Sequence, residues 1–157
     1  MRKLLLLVLL LAAVAFWLYT HSAAAEIRRT FGEVERLVSR AETESVMENA
    51  VKSRMLSTYV IEGCVFGLKE FGVSGRTSRE GFSGGVLAFR NEVKRIRLRF
   101  IDLQIESADR MAHVEGKADF TGTDTNGRLV EPLIHAFSAD LRREDDGRWR
   151  FMCVRMD

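Results

Sequence analysis

Ala112-His-Val-Glu-Gly-Lys-Ala-Asp-Phe120 alternates small or apolar residues with polar ones at every step. Ala112, Val114, Gly116, Ala118 and Phe120 share one face, and His113, Glu115, Lys117 and Asp119 share the other. A period of two marks a strand with one buried side. Thr123-Asp-Thr-Asn-Gly-Arg128 follows, and Asn-Gly is the dipeptide best suited to the positive φ of a tight hairpin. Working outward, Leu133, His135, Phe137, Ala139 and Leu141 form the next alternating face, and Asp145-Asp-Gly147 turns the chain again. The last strand sets Trp149, Phe151 and Cys153 against Arg150, Met152 and Val154. Upstream, Ile96, Leu98 and Phe100 alternate with Arg95, Arg97 and Arg99, after which the apolar set moves to Ile101, Leu103 and Ile105. One extra residue near Phe100–Asp102 restores a single buried face, as a β-bulge does, and bulges bend strands. Lys94 to Asp157 therefore reads as four long strands of a strongly curved antiparallel sheet.

Ahead of it the period lengthens to that of helices. Ile27, Phe31, Val34, Leu37 and Ala41 recur at three- and four-residue steps. A second helix is expected from about Glu44 to Tyr59, burying Val46, Ala50, Val51, Met55 and Tyr59. Cys64-Val-Phe66 reads as a short strand, and Phe71-Gly-Val-Ser-Gly75 as a turn or edge strand. Thr77-x-x-Glu80 has the spacing of a capping box, opening a third helix with Phe82, Val86 and Phe89 on its apolar face. Gly81, Gly84 and Gly85 weaken that helix, or let it pack closely on the sheet. Helices followed by a meander give an α+β fold with helices packed on a curved antiparallel sheet.

The 157 residues carry 24 basic and 22 acidic side chains. Two of the basic ones, Arg2 and Lys3, belong to the N-terminal extension, so the rest of the chain is balanced. A neutral domain lacks the basic footprint that nucleic-acid binding needs. The extension, residues 1–25, places Met1-Arg-Lys before an uncharged apolar run from Leu4 to Tyr19 and ends in Ala23-Ala-Ala25. This suits a cleavable signal peptide. The closing Phe16-Trp-Leu-Tyr19 favours the other reading, a short apolar helix anchoring the chain in a membrane with Trp17 and Tyr19 at the interface. Either way the domain of residues 26–157 is expected outside the cytoplasm, tethered as a single-pass protein on the periplasmic or extracellular side, or secreted after cleavage.

Tyr59-Val-Ile-Glu-Gly-Cys-Val-Phe66, the capped helix to Phe89, and Phe137-x-x-x-Leu141 leading to Gly147-Arg-Trp-Arg-Phe151 give the chain a family likeness. Over residues 26–157 it resembles the nuclear transport factor 2-like superfamily, which includes ketosteroid isomerase and polyketide-cyclase-like proteins. The resemblance implies a cone-shaped fold with a pocket between helices and concave sheet. Its isomerases carry a carboxylate base where this chain has Gly67 or Leu68, and a second acid near Ala139, with Asp140 one step away. The domain also resembles the periplasmic domains of some type IV secretion proteins. In the implied fold the strands bearing Cys64 and Cys153 run close together. A disulfide there would add about 4–5 kcal/mol in the chain-entropy model; the other reading is two unpaired thiols serving as small apolar residues.

His135, on the face of Phe137 and Leu141, is the best pocket candidate, since an imidazole exchanges protons near neutral pH. Tyr59 and Glu62 stand where the second helix meets the first strand, and Asp102 stands at the bulge. His135, Tyr59 and Asp102 are the catalytic candidates; His135, Phe137, Tyr59, Trp149 and Phe151 are the ligand-binding ones. Each also has a bland reading, as a satisfied core or surface group. The scattered His21, His113 and His135 offer no metal-ligand spacing, and no cofactor is implied. Arg95, Arg97 and Arg99 form a basic stripe fit for acidic lipid headgroups, an acidic partner, or plain solvation. Three functions follow: a non-catalytic binder of a small apolar ligand or a partner protein, a hydratase- or isomerase-like enzyme using His135, or an envelope or secretion-system assembly component. The partners expected are the membrane, an envelope protein or a second copy of the chain.

Overall fold

The meander is the centre of the molecule. In the computed structural model, which describes residues 9–11, 14, 22–68 and 73–156 (side chains of 73 and 130–133 excepted), it comprises β3 (Val93–Ala108), β4 (Met111–Asp124), β5 (Leu129–Arg143) and β6 (Trp149–Met156). A hairpin of β1 (Val60–Leu68) and β2 (Val73–Thr77) adds to the outer edge of β6, giving the order β2-β1-β6-β5-β4-β3. β1 and β6 run parallel, so the sheet is mixed rather than wholly antiparallel as expected; the other pairs are antiparallel.

Two hairpins share one construction. Gly127 donates its N–H to Asp124 O, and Gly147 donates to Glu144 O. These glycines have φ of +80° and +78°, which a side chain would strain. The expected bulge is present in β3, where register shifts between Ile101 and Gln104 and Asp102 takes φ +57°. A second irregularity, between Asp140 and Leu141, changes the phase of β6. It puts Val154 beside Phe151 on the inner wall, where simple alternation expected Cys153.

Three helices pack on the concave face and one edge: α1 (Ala23–Val38), α2 (Val46–Leu56) and α3 (Arg79–Glu92), with a 3-10 turn at Ser57–Tyr59. α1 is capped by Ser22 and buries Ile27, Phe31 and Leu37; it ends before Ala41. Its C-terminal end runs beside β3: Glu35 accepts from the Phe100 N–H, Ser39 Oγ from the Leu98 N–H, and Arg40 exchanges two backbone bonds with Ile96. Its first turn is held by Glu26, which accepts from Trp149 Nε1 at 3.1 Å and from Arg143.

α2 departs most from expectation. It begins with the capping box Ser45/Glu48, but its buried residues are Asn49, Ser53 and Leu56. Val46, Val51 and Met55 are exposed. The reason is Arg90, the last-turn residue of α3, which is fully buried. Its guanidinium donates to Asn49 Oδ1, to Glu44 Oε1, and to the Leu37 and Val38 carbonyls at the end of α1. Burial pushes its pKa below the ordinary arginine value, and Glu44 opposes that shift. A buried cation needs polar partners, so the polar side of α2 turns inward. α3 itself is capped by Ser78, which accepts from the Gly81 N–H; Thr77, expected as the cap, is the last residue of β2.

The expected anchor, Leu4 to Tyr19, falls outside the described residues except at 9–11 and 14. Among the described residues no helix is long and apolar enough to cross a membrane.

Candidate functional site

Between α3 and the concave sheet lies a cavity of about 810 Å³. α3 supplies Phe82, Val86 and Phe89, β1 supplies Phe66 and Leu68, and the meander supplies Leu98, Ala118, Phe120 and His135. Phe66 and Phe82 stack with ring centres 5.1 Å apart. Six residues, among them Phe66, Phe82, Leu98 and Met156, also wall a deeper space of about 200 Å³. Among the described residues no polar atom reaches the wall of that inner end. Its floor is a cluster of phenylalanines: Phe31 meets Phe100 edge-on at 4.9 Å and Phe151 at 5.1 Å, and Phe137 meets Phe100 at 5.3 Å. Edge-to-face packing of this kind fixes the rings while leaving a π face or edge for a ligand.

The polar content of the outer chamber is small. His135 is half-buried and stands across the ladder from Ala118, on the inward face shared by Phe137 and Ala139. Thr77 pairs with the buried Cys64 and so shares its inward face. Ser74 and Arg76 also line the chamber; they pair with Gly67 and Val65, one step out of phase with Phe66, and flank Gly75 with its φ of +122°. Among the described residues that line the chamber there is no carboxylate.

The residues singled out from sequence are therefore divided. His135 lines the outer chamber, and Phe137, Phe151 and Tyr59 line the inner one. Tyr59 presents its ring there and not its hydroxyl, since the wall is wholly apolar. Trp149 is buried against Glu26 and stands outside both linings. Glu62 is exposed and accepts from the Arg79 N–H at the start of α3. Asp102 is exposed, is held by Lys117 Nζ at 3.0 Å, and does not reach the apolar chambers. Gly67 lies on β1 opposite Arg155. Asp140 faces outward, 2.7 Å from His113 Nδ1. That hydrogen bond, with Glu115 behind it at 3.6 Å, raises the His113 pKa above its ordinary value. Arg95, Arg97 and Arg99 are exposed, with Arg99 opposite Asp119. The two cysteines are free: Val65, not Cys64, is the register partner of Cys153. Burial first, and Cys153 second, push the Cys64 thiol up to about 12. Among the described residues no cluster of His, Cys, Asp or Glu could hold a metal. Sequence reasoning missed Thr77 as a lining residue, and it missed the glycine face of α3.

No family model matches the chain, and no curated protein matches it by sequence. Solved structures do match. The Kfla4162 protein from Kribbella flavida superposes with a TM-score of 0.69 at 12% identity, covering 85% of this chain and 88% of that one. A putative scytalone dehydratase from Novosphingobium aromaticivorans gives 0.67 at 14% identity, over 83% and 80%. The hexachlorocyclohexane dehydrochlorinase LinA-type3 from Novosphingobium barchaimii gives 0.65 at 12% identity, over 86% and 85%. At these identities the likeness concerns fold, and the fold is the nuclear transport factor 2-like one that the sequence resembles.

Proposed function

We propose that the domain binds a small, largely apolar ring compound in the cavity beneath α3, with His135 meeting its polar end. The observation that carries this reading is the cavity itself: about 810 Å³ in the outer chamber, leading to an inner end without a polar atom on its wall. Concave, mostly apolar spaces of this size with a few convergent polar groups are the usual form of small-molecule sites. His135 and Thr77 on a mostly apolar wall can orient a hydroxyl or carbonyl, and such a wall disfavours burial of a charged ligand. Fluorescence titration with neutral aromatic alcohols tests it. Saturable binding at one site per chain is expected; the absence of saturable binding across two- to four-ring alcohols overturns the reading.

A second reading is favoured by the neighbours, two of which are named for eliminations, a dehydratase and a dehydrochlorinase. In such a step His135 takes a proton from carbon, that C–H pair forms the new double bond, and the leaving group departs with the electrons of its own bond, as chloride or as a hydroxide that takes the proton back from the imidazolium to become water. Where chloride leaves, the imidazolium returns its proton to solvent; neither course needs a cofactor. His135→Gln separates the two readings. A binder keeps its affinity within a few-fold, whereas an enzyme loses turnover by orders of magnitude at equal stability.

The run Leu4 to Tyr19 behind Arg2 and Lys3 supports delivery of the domain outside the cytoplasm. Protease added to cells with a permeabilised outer layer is expected to digest it; protection until the inner membrane is lysed overturns this placement.

A further inference from the structure

We infer that Gly85 sets how large a molecule the cavity admits, an inference that rests on the binding role proposed above. The α3 residues meeting the cavity are Gly81, Phe82, Gly85, Val86 and Phe89. At the helical repeat they fall on one face, and Gly85 lies near its middle. Among the described residues a Cβ built on Gly85 would have no heavy atom within 4 Å, so neither a close backbone approach nor packing by them calls for glycine there. Its φ is not positive either. Glycine inside a helix costs about 1 kcal/mol relative to alanine, and at position 85, unlike 84, the missing side chain leaves space on the cavity wall.

The neighbouring glycines differ. A Cβ on Gly81 would stand 2.8 Å from Thr77 Oγ1 and 3.2 Å from Ser78 Oγ, so glycine lets the cap close. Gly84 matches Gly85 in helix position and in open space around its Cβ, yet it is off the cavity wall. Leucine at 84 projects into solvent. Leucine at 85 projects into the chamber between Phe82 and Phe89 and shortens it. A rigid compound of four rings needs the full chamber. A compound of one or two rings fits the shortened chamber as well.

The experiment uses the full chain and two fluorescent probes, 2-naphthol with two rings and 1-hydroxypyrene with four. Gly84→Leu and Gly85→Leu are both expected to melt at or above the wild-type temperature, since both replace a helical glycine. Wild type and Gly84→Leu bind both probes alike. Gly85→Leu holds 2-naphthol within about threefold and weakens 1-hydroxypyrene roughly tenfold to a hundredfold, the effect of overfilling a packed site. Gly85→Ala, the milder second variant, weakens the larger probe by about threefold or more. Unchanged pyrene binding in both variants at 85 overturns the inference, as does equal weakening of both probes or equal weakening by Gly84→Leu. A wild type that binds neither probe overturns the binding role itself and this inference with it.

Discussion

Ala118 stands directly across the β4–β5 ladder from His135, and its single methyl leaves the imidazole open to the chamber. Ala118 touches both the outer and the inner space. Ala118→Leu would push three more carbons into the passage between them. The expected result is retained folding with ligand affinity reduced by roughly tenfold or more, read by titration with a neutral aromatic alcohol. Unaltered affinity would place the ligand elsewhere.

Arg90 ties the three helices together at a fully buried site. Replacing it with methionine leaves Glu44 Oε1, Asn49 Oδ1 and two α1 carbonyls without that donor, while Glu44 Oε2 keeps Lys52 Nζ at 2.9 Å. Breaking a buried ion pair from one side destabilises by roughly 3–5 kcal/mol. Urea unfolding of Arg90→Met is expected to show a loss of that order, with an unchanged slope. A loss below about 1 kcal/mol, the scale of an exposed pair, would contradict the burial seen here.

His113 gives stability a dependence on pH. Its hydrogen bond to Asp140 raises its folded pKa above the unfolded one. The contribution is therefore complete below the ordinary histidine range near 6.5 and is lost as pH rises through the raised folded value. His113→Gln should melt below wild type at about pH 5.5 and converge on it by about pH 9. A constant gap across that range would show that the pair with Asp140 does not titrate as described.

Cys64 should be chemically silent in the folded protein. It is fully buried, and its thiol titrates near 12, so almost no thiolate forms at pH 8. Alkylation at that pH in native buffer is expected to spare Cys64, and urea should expose it to labelling without any reductant. Labelling that needs a reductant would establish a bridge to Cys153.

How much could be read from the residues varies with the cause of each feature. The alternation in β4 and β5 is plain because each strand has one wet and one dry side, and it located His135 and Phe137 on the inner wall. The bulge at Asp102 showed itself as a phase change among Ile96–Ile105. The α2 face was read inside out, since Asn49 and Ser53 turn inward for the sake of Arg90, some forty residues later and invisible to any local period. Val154 replaced Cys153 on the inner wall because a β6 irregularity leaves no mark in its own composition. Trp149 reads as a pocket aromatic by its face, but its indole N–H is committed to Glu26. Periodicity also cannot tell a residue that meets a neighbour from one that meets a void, so Gly85 stood out only as a weak point of the helix.

The bonds from Glu35, Ser39 and Arg40 to β3 bear on how the molecule meets others. A sheet ends in rows of unpaired backbone groups that can template another strand. At Ile96 both groups are taken by Arg40, the N–H groups of Leu98 and Phe100 are taken by Ser39 and Glu35, and just beyond them Asp102 breaks the straight run with its left-handed backbone. The opposite rim is β2, five residues long and centred on a glycine of φ +122°. Growth into fibrils by stacking sheets rim to rim is thus disfavoured at both borders, and a second molecule has little to gain by strand exchange. Self-association, where it occurs, is left to side chains on the faces of the domain.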